Sequence, residues 1–538
     1  MKTLDFDFVI VGGGAAGCVL AARLAQDTEA SVALVERGRK DSNPWIHIPA
    51  TFFKAIQSQD VEAQTSEPDL TLENRAFVVP QGRVLGGGTS VNGMIYMRGQ
   101  ARDYDDWVSD FGCQGWGYAD VLPVFKRQER NSRLGDDPFH GANGPLIVDD
   151  PSTKHPVTQQ IIDAAVACGL PLNTDFNGAR QDGVGWYQVT AHKGRRQSAA
   201  TCFLRPALGR ENLSLLTGMD VSRLRIEGRR ACAVEAFDGD GAPVLIKARR
   251  EIVLTAGSFQ SPKLLLLSGI GPKQHLDRHG IDVIEDAPAV GDNYQDHVGA
   301  PLTARMKDSV GLHGADKGLK ALGHGLNYVL RRRGLLTTNL LQGGACVDTG
   351  GSGRPDVQYN IAPFAPGRPG MPPLDFHALQ IHPMTMRPKS RGRLGLRSSN
   401  PRDSLRFQAE ALGHAEDLEV LRRGVRLARD ILNQAEMREL VAEEVWPGPG
   451  ISVAQGSNNL DDAIREQART IYHPSGTCRM GGDSKAVLDP QLRVRGIDGL
   501  RVADCSVMPA LVSGNTGAPT MMIADQCADL ILADAGAR

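Results

Sequence analysis

The clearest hydrophobic pattern lies at the head of the chain. Phe6 to Val11 is a short apolar run, followed by Gly12-Gly13-Gly14-Ala15-Ala16-Gly17. Cys18 to Ala25 then repeats apolar residues at helical spacing, and Val32 to Val35 is a second apolar run closed by Glu36. Short buried runs flanking a helix-period segment predict one βαβ unit. Leu213 to Phe237 breaks into short alternating segments and turns, which predicts three strands, and Glu251 to Thr255 predicts another ahead of Ala256-Gly257. Glu416 to Leu432 predicts an amphipathic helix. Leu418, Val420, Leu421, Val425, Leu427 and Leu432 supply its apolar side, while Arg422, Arg423, Arg426 and Arg429 read as a solvated face. Thr349 to Pro355 and Pro363 to Pro373 predict loops rather than linkers, because patterned sequence continues on both sides. The sequence shows no internal repeat.

Length turns one unit into two. At 538 residues the chain exceeds the size at which a single core keeps growing, so two packed domains, or one with insertions, are expected. Hydrophobic residues make up 41% and charged residues 23%, an ordinary soluble composition. The 60 Lys and Arg against 62 Asp and Glu leave a formal charge of −2, which argues against nucleic acid as a partner. Nine cysteines without a CxxC pair disfavour a disulfide scaffold or thiolate zinc site and fit a reducing compartment. No apolar leader precedes the first strand, and no stretch approaches the roughly 20 apolar residues of a spanning helix. A cytoplasmic protein without a transmembrane segment is expected, with peripheral membrane attachment left open.

Gly12, Gly14 and Gly17 fill the three glycines of G-x-G-x-x-G. The first allows the tight turn, the second lets backbone approach a pyrophosphate, and the third lets helix and strand pack closely. The helix N-terminus then offers free N–H groups and partial positive charge to phosphate, with Ala15 and Ala16 in that turn. Glu36 follows about 20 residues on, where a carboxylate accepts from ribose hydroxyls. With strand, helix and acid all in place, the motif predicts a bound dinucleotide but does not separate FAD from NAD.

Five further segments make that distinction. They read GRVLGGGTSVNGMIYMRG from Gly82, GSFQSPKLLLLSGIGP from Gly257, YHPSGTCRMG from Tyr472, RVADCSVMP from Arg501 and SGNTGAPTMMI from Ser513. In type and order they resemble the signatures of the glucose–methanol–choline (GMC) family of flavin oxidoreductases, from Phe6 to about Leu532, and especially its bacterial choline-dehydrogenase-like and aliphatic-alcohol-dehydrogenase branch. The resemblance implies an α/β fold. A discontinuous Rossmann-type FAD-binding domain (1–157, 194–300 and 471–538) would accompany an α+β substrate-binding domain (158–193 and 301–470). It implies FAD, with Val84, Gly88, Asn92, Gly93 and Met94 along pyrophosphate and flavin. The Val221 backbone would meet adenine, Asp504 would lie near the pyrophosphate and ribityl chain, and the Asn515 and Thr516 N–H groups would reach the flavin. Some family members attach FAD covalently through a histidine. The corresponding position here is Val91, which has no nucleophilic nitrogen, so dissociable FAD is expected.

Alcohol oxidation needs a base for the hydroxyl proton and an acceptor for hydride, which a flavin provides at N5. His473 is the candidate base, since neutral imidazole is available near pH 7. The resemblance implies that Asn515 orients the substrate oxygen beside it, as an amide donor suits a developing alkoxide. The leading expectation is a dehydrogenase oxidising a primary alcohol and passing electrons to a quinone or other carrier. An oxidase releasing hydrogen peroxide shares every residue named. A hydroxynitrile lyase and a non-enzymatic flavin-binding protein are the remaining alternatives.

Some positions depart from the family pattern or distract from it. Asp60 to Thr65 lacks the aromatic residues common in relatives, and Ser404 to Ala411 replaces an Asp-Pro-rich turn, so a remodelled pocket is expected. Gln342 stands where many relatives carry Glu, which weakens the case for a cationic substrate such as choline. His275 and His279 have i, i+4 spacing but no evident third ligand, so no metal site is expected. Ser198 lies outside a G-x-S-x-G elbow and reads as structural, and Arg331-Arg332-Arg333 reads as a solvated patch.

Overall fold

A computed structural model of the chain describes residues 1–307, 310–367, 374–453 and 458–536. The predicted βαβ unit forms as β1 (Lys2–Val11), α1 (Ala15–Asp27) and β2 (Val32–Glu36). The alternating region resolves into β3 (Leu213–Thr217), β4 (Asp220–Glu227) and β5 (Arg230–Phe237), and β6 (Pro243–Leu254) contains the predicted later strand. These join in the order β3-β2-β1-β6-β5-β4, and the short strand Leu500–Val502 pairs with β6. β3, β2, β1 and β6 run parallel, and β5 and β4 close the sheet as an antiparallel hairpin. β2 is buried at all five positions, as expected of a parallel strand covered on both faces. α1 packs against it, and α2 (Gly257–Leu267) packs against β4 of the same sheet. Gly17 lets α1 pack so close, because a Cβ there would sit 1.9 Å from the Gly12 carbonyl oxygen.

A second sheet is antiparallel throughout. β7 (Val298–Gly299), β8 (Leu302–Met306), β9 (Gly343–Val347), β10 (Val357–Ala362), β11 (Ala378–Thr385), β12 (Val441–Trp446) and β13 (Arg469–Thr470) form it with Gly183–Trp186. The order β12-β8-β11-β10-β9 ends on Gly183–Trp186, and β7 bridges β11 and β13. Register on β10 and β11 sets Gln358 opposite Met384, Asn360 opposite His382 and Ala362 opposite Gln380. A separate apolar core, including Ile161, Leu302, Tyr359 and Ile381, packs around this sheet. A long exposed helix, α3 (Gly318–Arg331), lies beyond β8. The predicted amphipathic helix forms as α4 (Ala415–Leu432), and the chain's last helix is α5 (Gly517–Gly536), which packs on α1.

The arginines of α4 are not the solvated face that periodicity suggested. Arg422 pairs with Asp461 and Glu419, Arg423 with Asp356 at 3.0 Å, and Arg429 with both carboxylate oxygens of Glu444. Except for Glu419, which lies on α4 itself, neighbouring segments supply these partners, so hydropathy along the helix alone could not show them. His279 falls beyond the end of the helix Lys273–Arg278, and His275 Nε2 accepts the Leu396 N–H at 2.9 Å. Ser198 hydrogen-bonds within its own turn, to Thr201. The loop 363–373 is described only to residue 367, and 368–373 lie outside the described residues.

Candidate active site

The first turn of α1 meets the Gly86-Gly87-Gly88 turn, joined by Gly86 N–H donating to the Gly13 carbonyl at 2.7 Å. Gly12 holds φ +110°, a conformation that L side chains rarely adopt, and a Cβ on it would strike the Thr255 carbonyl. A Cβ on Gly88 would project into open space, with no atom within 4 Å. No acidic side chain sits in the first turn of α1, so its N–H groups face the cavity with their partial positive charge intact. Glu36 accepts Gly13 N–H at 2.7 Å and Gly38 N–H, and burial raises its carboxyl pKa. These are the features a pyrophosphate and a ribose require, and they fit FAD.

From this cradle one cavity of about 580 Å³ runs to the second sheet. Gly12, Gly14, Ala15, Ala16, Glu36, Gly88, Asn92, Gly93, Met94, Val221, Asp504, Asn515, Thr516 and His473 all line it, and so does Val91. Gly17 lies behind it in its packing role. Val84 is not among the lining residues and packs with Ile46, Ala55 and Val91 one layer back. The Asp504 carboxylate accepts from Gly257 N–H and Ser261 Oγ at Oδ2 and from Ser506 N–H at Oδ1. Gln342 lies outside the cavity, bonded to Thr153, Thr338 and His155, so its missing charge says nothing about substrate. Ser404 to Ala411 also lies outside; Phe407 packs edge-on against Phe259 at 5.1 Å. From the altered Asp60–Thr65 stretch, Glu62 and Gln64 do line the cavity.

At the far end the two predicted reacting residues meet. Asn515 Nδ2 lies 3.2 Å from His473 Nε2, and Asn515 Oδ1 accepts from Gln358 Nε2 at 3.1 Å on β10. The His473 Nδ1 atom lies 2.8 Å from His297 Nδ1, whose Nε2 is 3.0 Å from the Met386 carbonyl. Proton positions follow from this network. A carbonyl only accepts, so His297 Nε2 carries hydrogen. Burial pushes His297 down to about 4, so its ring is neutral and Nδ1 is bare. It therefore accepts from His473 Nδ1–H. Burial, with His297 alongside, also holds His473 well below the ordinary histidine range. Its Nε2 is consequently an unprotonated acceptor facing the cavity.

The backbone around His473 is fixed as firmly. Its N–H donates to Asp296 Oδ1 at 2.9 Å, while Tyr294 and Thr470 hydroxyls donate to Oδ2. Burial pushes the Asp296 carboxyl up to about 7. Tyr472 at φ +70° and Met94 at φ +61° are both lining residues held in the left-handed region, a strain common where a site dictates geometry. Sequence reasoning missed His297, Asp296 and Gln358. No motif connects them to His473 or Asn515, and the contacts span 157 to 177 residues.

A glycine cradle at one end and a neutral imidazole beside a carboxamide at the other define a dinucleotide-dependent oxidoreductase. Residues 6–299 match the N-terminal family model of GMC oxidoreductases and residues 388–524 the C-terminal one; the chain belongs to the GMC oxidoreductase family. It is an FAD-dependent oxidoreductase acting on alcohols. The oxygen-dependent choline dehydrogenase of Brucella ovis is 39% identical over 98% of this chain and 96% of its own. That of Rhizobium johnstonii is 40% identical over the same shares. Among solved structures, pyridoxine 4-oxidase from Mesorbium loti superposes with a TM-score of 0.88 at 31% identity, covering 97% of this chain and 98% of its own. A formate oxidase variant from Aspergillus oryzae RIB40, studied for FAD modification, reaches 0.92 at 26% identity, covering 99% of each.

Proposed function

We propose that this enzyme oxidises a primary alcohol to the aldehyde on non-covalently held FAD, with His473 as base, Asn515 holding the substrate oxygen, and a quinone-type carrier as electron acceptor. The observation that carries this reading is the bare His473 Nε2 set 3.2 Å from an amide nitrogen, at one end of a cavity that begins in a pyrophosphate cradle. When bound, FAD supplies the acceptor for the hydride that leaves the carbinol carbon. His473 Nε2 takes the hydroxyl proton, and Asn515 Nδ2 donates to the oxygen as its charge develops. Val91 supports dissociable FAD because it offers no atom for a covalent link. Names of relatives, an oxygen-dependent dehydrogenase and a pyridoxine oxidase, favour oxygen as acceptor and supply the second reading.

The cavity's charges speak against a cationic substrate. Among the described residues, the acidic ones that line it are Glu36, Glu62, Asp220 and Asp504. Glu62 pairs with Arg37, Asp220 adjoins Val221, and the Glu36 and Asp504 carboxylates are bonded to backbone, all in the dinucleotide half. Arg469 lines the other half, where its described hydrogen bond is to Gln380 Oε1 at 3.4 Å. A neutral or anionic alcohol suits this end.

His473→Ala, reduced anaerobically by an alcohol panel, tests the reading. FAD should stay bound and be released on denaturation, while flavin reduction falls at least about 100-fold. Near-full reduction in the variant would remove His473 from the chemistry. Air exposure of the reduced wild type separates the acceptors, since rapid reoxidation with stoichiometric peroxide means oxygen.

A further inference from the structure

Helix α3 is amphipathic the wrong way round for a helix that faces water. Leu319, Leu322, Leu326, Val329 and Leu330 are 87%, 59%, 52%, 70% and 76% exposed. At helical spacing these five fall within an arc of about 100°, a contiguous apolar stripe. The opposite face, with Ala321, His324 and Tyr328, is the one turned toward the protein, and Tyr328 is anchored by its hydroxyl donating to the Gly194 carbonyl. Cations frame the stripe. Lys317 and Lys320 at one end and Arg331, Arg332 and Arg333 at the other are all exposed, against a single exposed acid, Asp316, beside Lys317; Arg332 also lies 4.5 Å over the Tyr328 ring. The arginine run read earlier as a mere solvated patch is thus one end of this helix.

We propose that α3 docks the enzyme onto an anionic phospholipid surface, its leucines entering the acyl boundary and its Lys and Arg groups meeting lipid phosphates. An outward apolar stripe of this size marks a binding face, and ends that carry five cations against one acid are what a lipid headgroup layer complements. The same charges oppose the other obvious occupant, a second copy of this chain. In a two-fold pair of α3 helices, Lys317 and Lys320 would face Arg331 to Arg333, cation against cation. The protein's overall charge of −2 gives no general attraction to anions, so the effect is local to this face. No helix among the described residues is long and apolar enough to cross a membrane, so α3 lies on the surface.

Docking there would also orient the cavity. The 3₁₀ turn Leu335–Thr337 joins α3 to the rest of the fold and packs on Pro49–Thr51, which leads directly into Phe52–Ile56. Phe52, Phe53 and Ile56 line the cavity, as does Leu341 just beyond the 3₁₀ turn. An apolar alcohol or a lipid-borne carrier would therefore meet the apolar side of the cavity.

Co-sedimentation of the FAD-loaded enzyme with vesicles tests this. Binding to phosphatidylglycerol/phosphatidylcholine vesicles should exceed binding to pure phosphatidylcholine about tenfold and weaken in 0.5 M salt. The double variant Leu326→Asp/Leu330→Asp, and separately Lys320→Ala/Arg331→Ala, should each lose at least about tenfold of the partition coefficient. All these side chains are exposed, so FAD content and reduction by a soluble alcohol should be unchanged. Wild-type enzyme that ignores anionic vesicles, or variants that bind them undiminished, would overturn the proposal. So would a wild-type dimer that Leu326→Asp/Leu330→Asp converts to monomer, which would make a second copy the occupant.

Discussion

At the scale of single residues, the site depends on where one proton sits. His473 can act as a base only if its Nε2 is bare, and the hydrogen is held on the other nitrogen by His297 Nδ1 at 2.8 Å. His297 is therefore a positioning residue, acting through His473 rather than on substrate. Because His473 is held well below its ordinary range, the neutral base persists as pH falls through 6.5, and the acid limb of flavin reduction should lie below that value. In His297→Ala the adjacent ring is gone and water can enter, so the limb should move up toward 6.5 and the rate fall about 10- to 100-fold. His297→Gln, which keeps an acceptor for Nδ1–H, should restore part of the rate. A pH series of reductive half-reaction rates for the three proteins decides it; a wild-type limb at 6.5 or above would dismiss the proton assignment. This also shows which parts of the site the sequence made legible. His473 and Asn515 stand inside short segments whose order carries their meaning, whereas His297 and Gln358 acquire theirs only when β7 and β10 fold across the cavity.

At the scale of elements, apolar periodicity located β1, α1, β2 and the β3–β5 group, because burial on one or both faces is written directly into spacing. It misjudged α4, whose polar side is bound rather than solvated. Arg429 is 13% and Glu444 9% exposed at the side chain; the guanidinium spans both carboxylate oxygens and also donates to the Ile451 carbonyl at 2.6 Å. A charge this enclosed is costly to strand. Arg429→Ala should lower unfolding stability by about 2 kcal/mol, seen as a reduced urea midpoint, and Glu444→Gln should lose less because an amide still accepts. An unchanged midpoint would return these arginines to the solvated face. The same rule misleads on α3, where an apolar stripe points out instead of in. Periodicity reports that a helix has two faces, and only the fold reports which one water meets.

At the scale of the whole molecule, buried histidines of two kinds set the pH range of stability. His297, pushed down to about 4 by burial, and His473 and His382, held well below the ordinary range by burial first and by neighbouring cations or rings second, fold only as neutral rings. In the unfolded chain each takes up a proton near 6.5. As pH falls below 6.5 the unfolded state gains protons that the folded state refuses, and stability drops by up to about 1.4 kcal/mol per pH unit for each such ring. His140 works in the opposite sense. Burial alone would lower it, but hydrogen bonds to Asp175 and Glu129 outweigh that and raise it to about 9. Its contribution is complete below 6.5 and is lost as pH rises from 6.5 through about 9. Asp296, raised by burial to about 7, binds its proton in the folded state first and so offsets one of the lowered rings below 7. His155 and His275, also lowered by burial, act with His297, His473 and His382, and the balance leaves the acid side the steeper. Thermal unfolding from pH 5 to 9.5 should therefore give a maximum near pH 6.5, with a steeper fall on the acid side than on the alkaline side. His382→Gln should soften the acid fall alone, and His140→Gln the alkaline fall alone. If both variants lowered the curve by the same amount at every pH, these two histidines would be packing groups whose protonation has no part in the stability range.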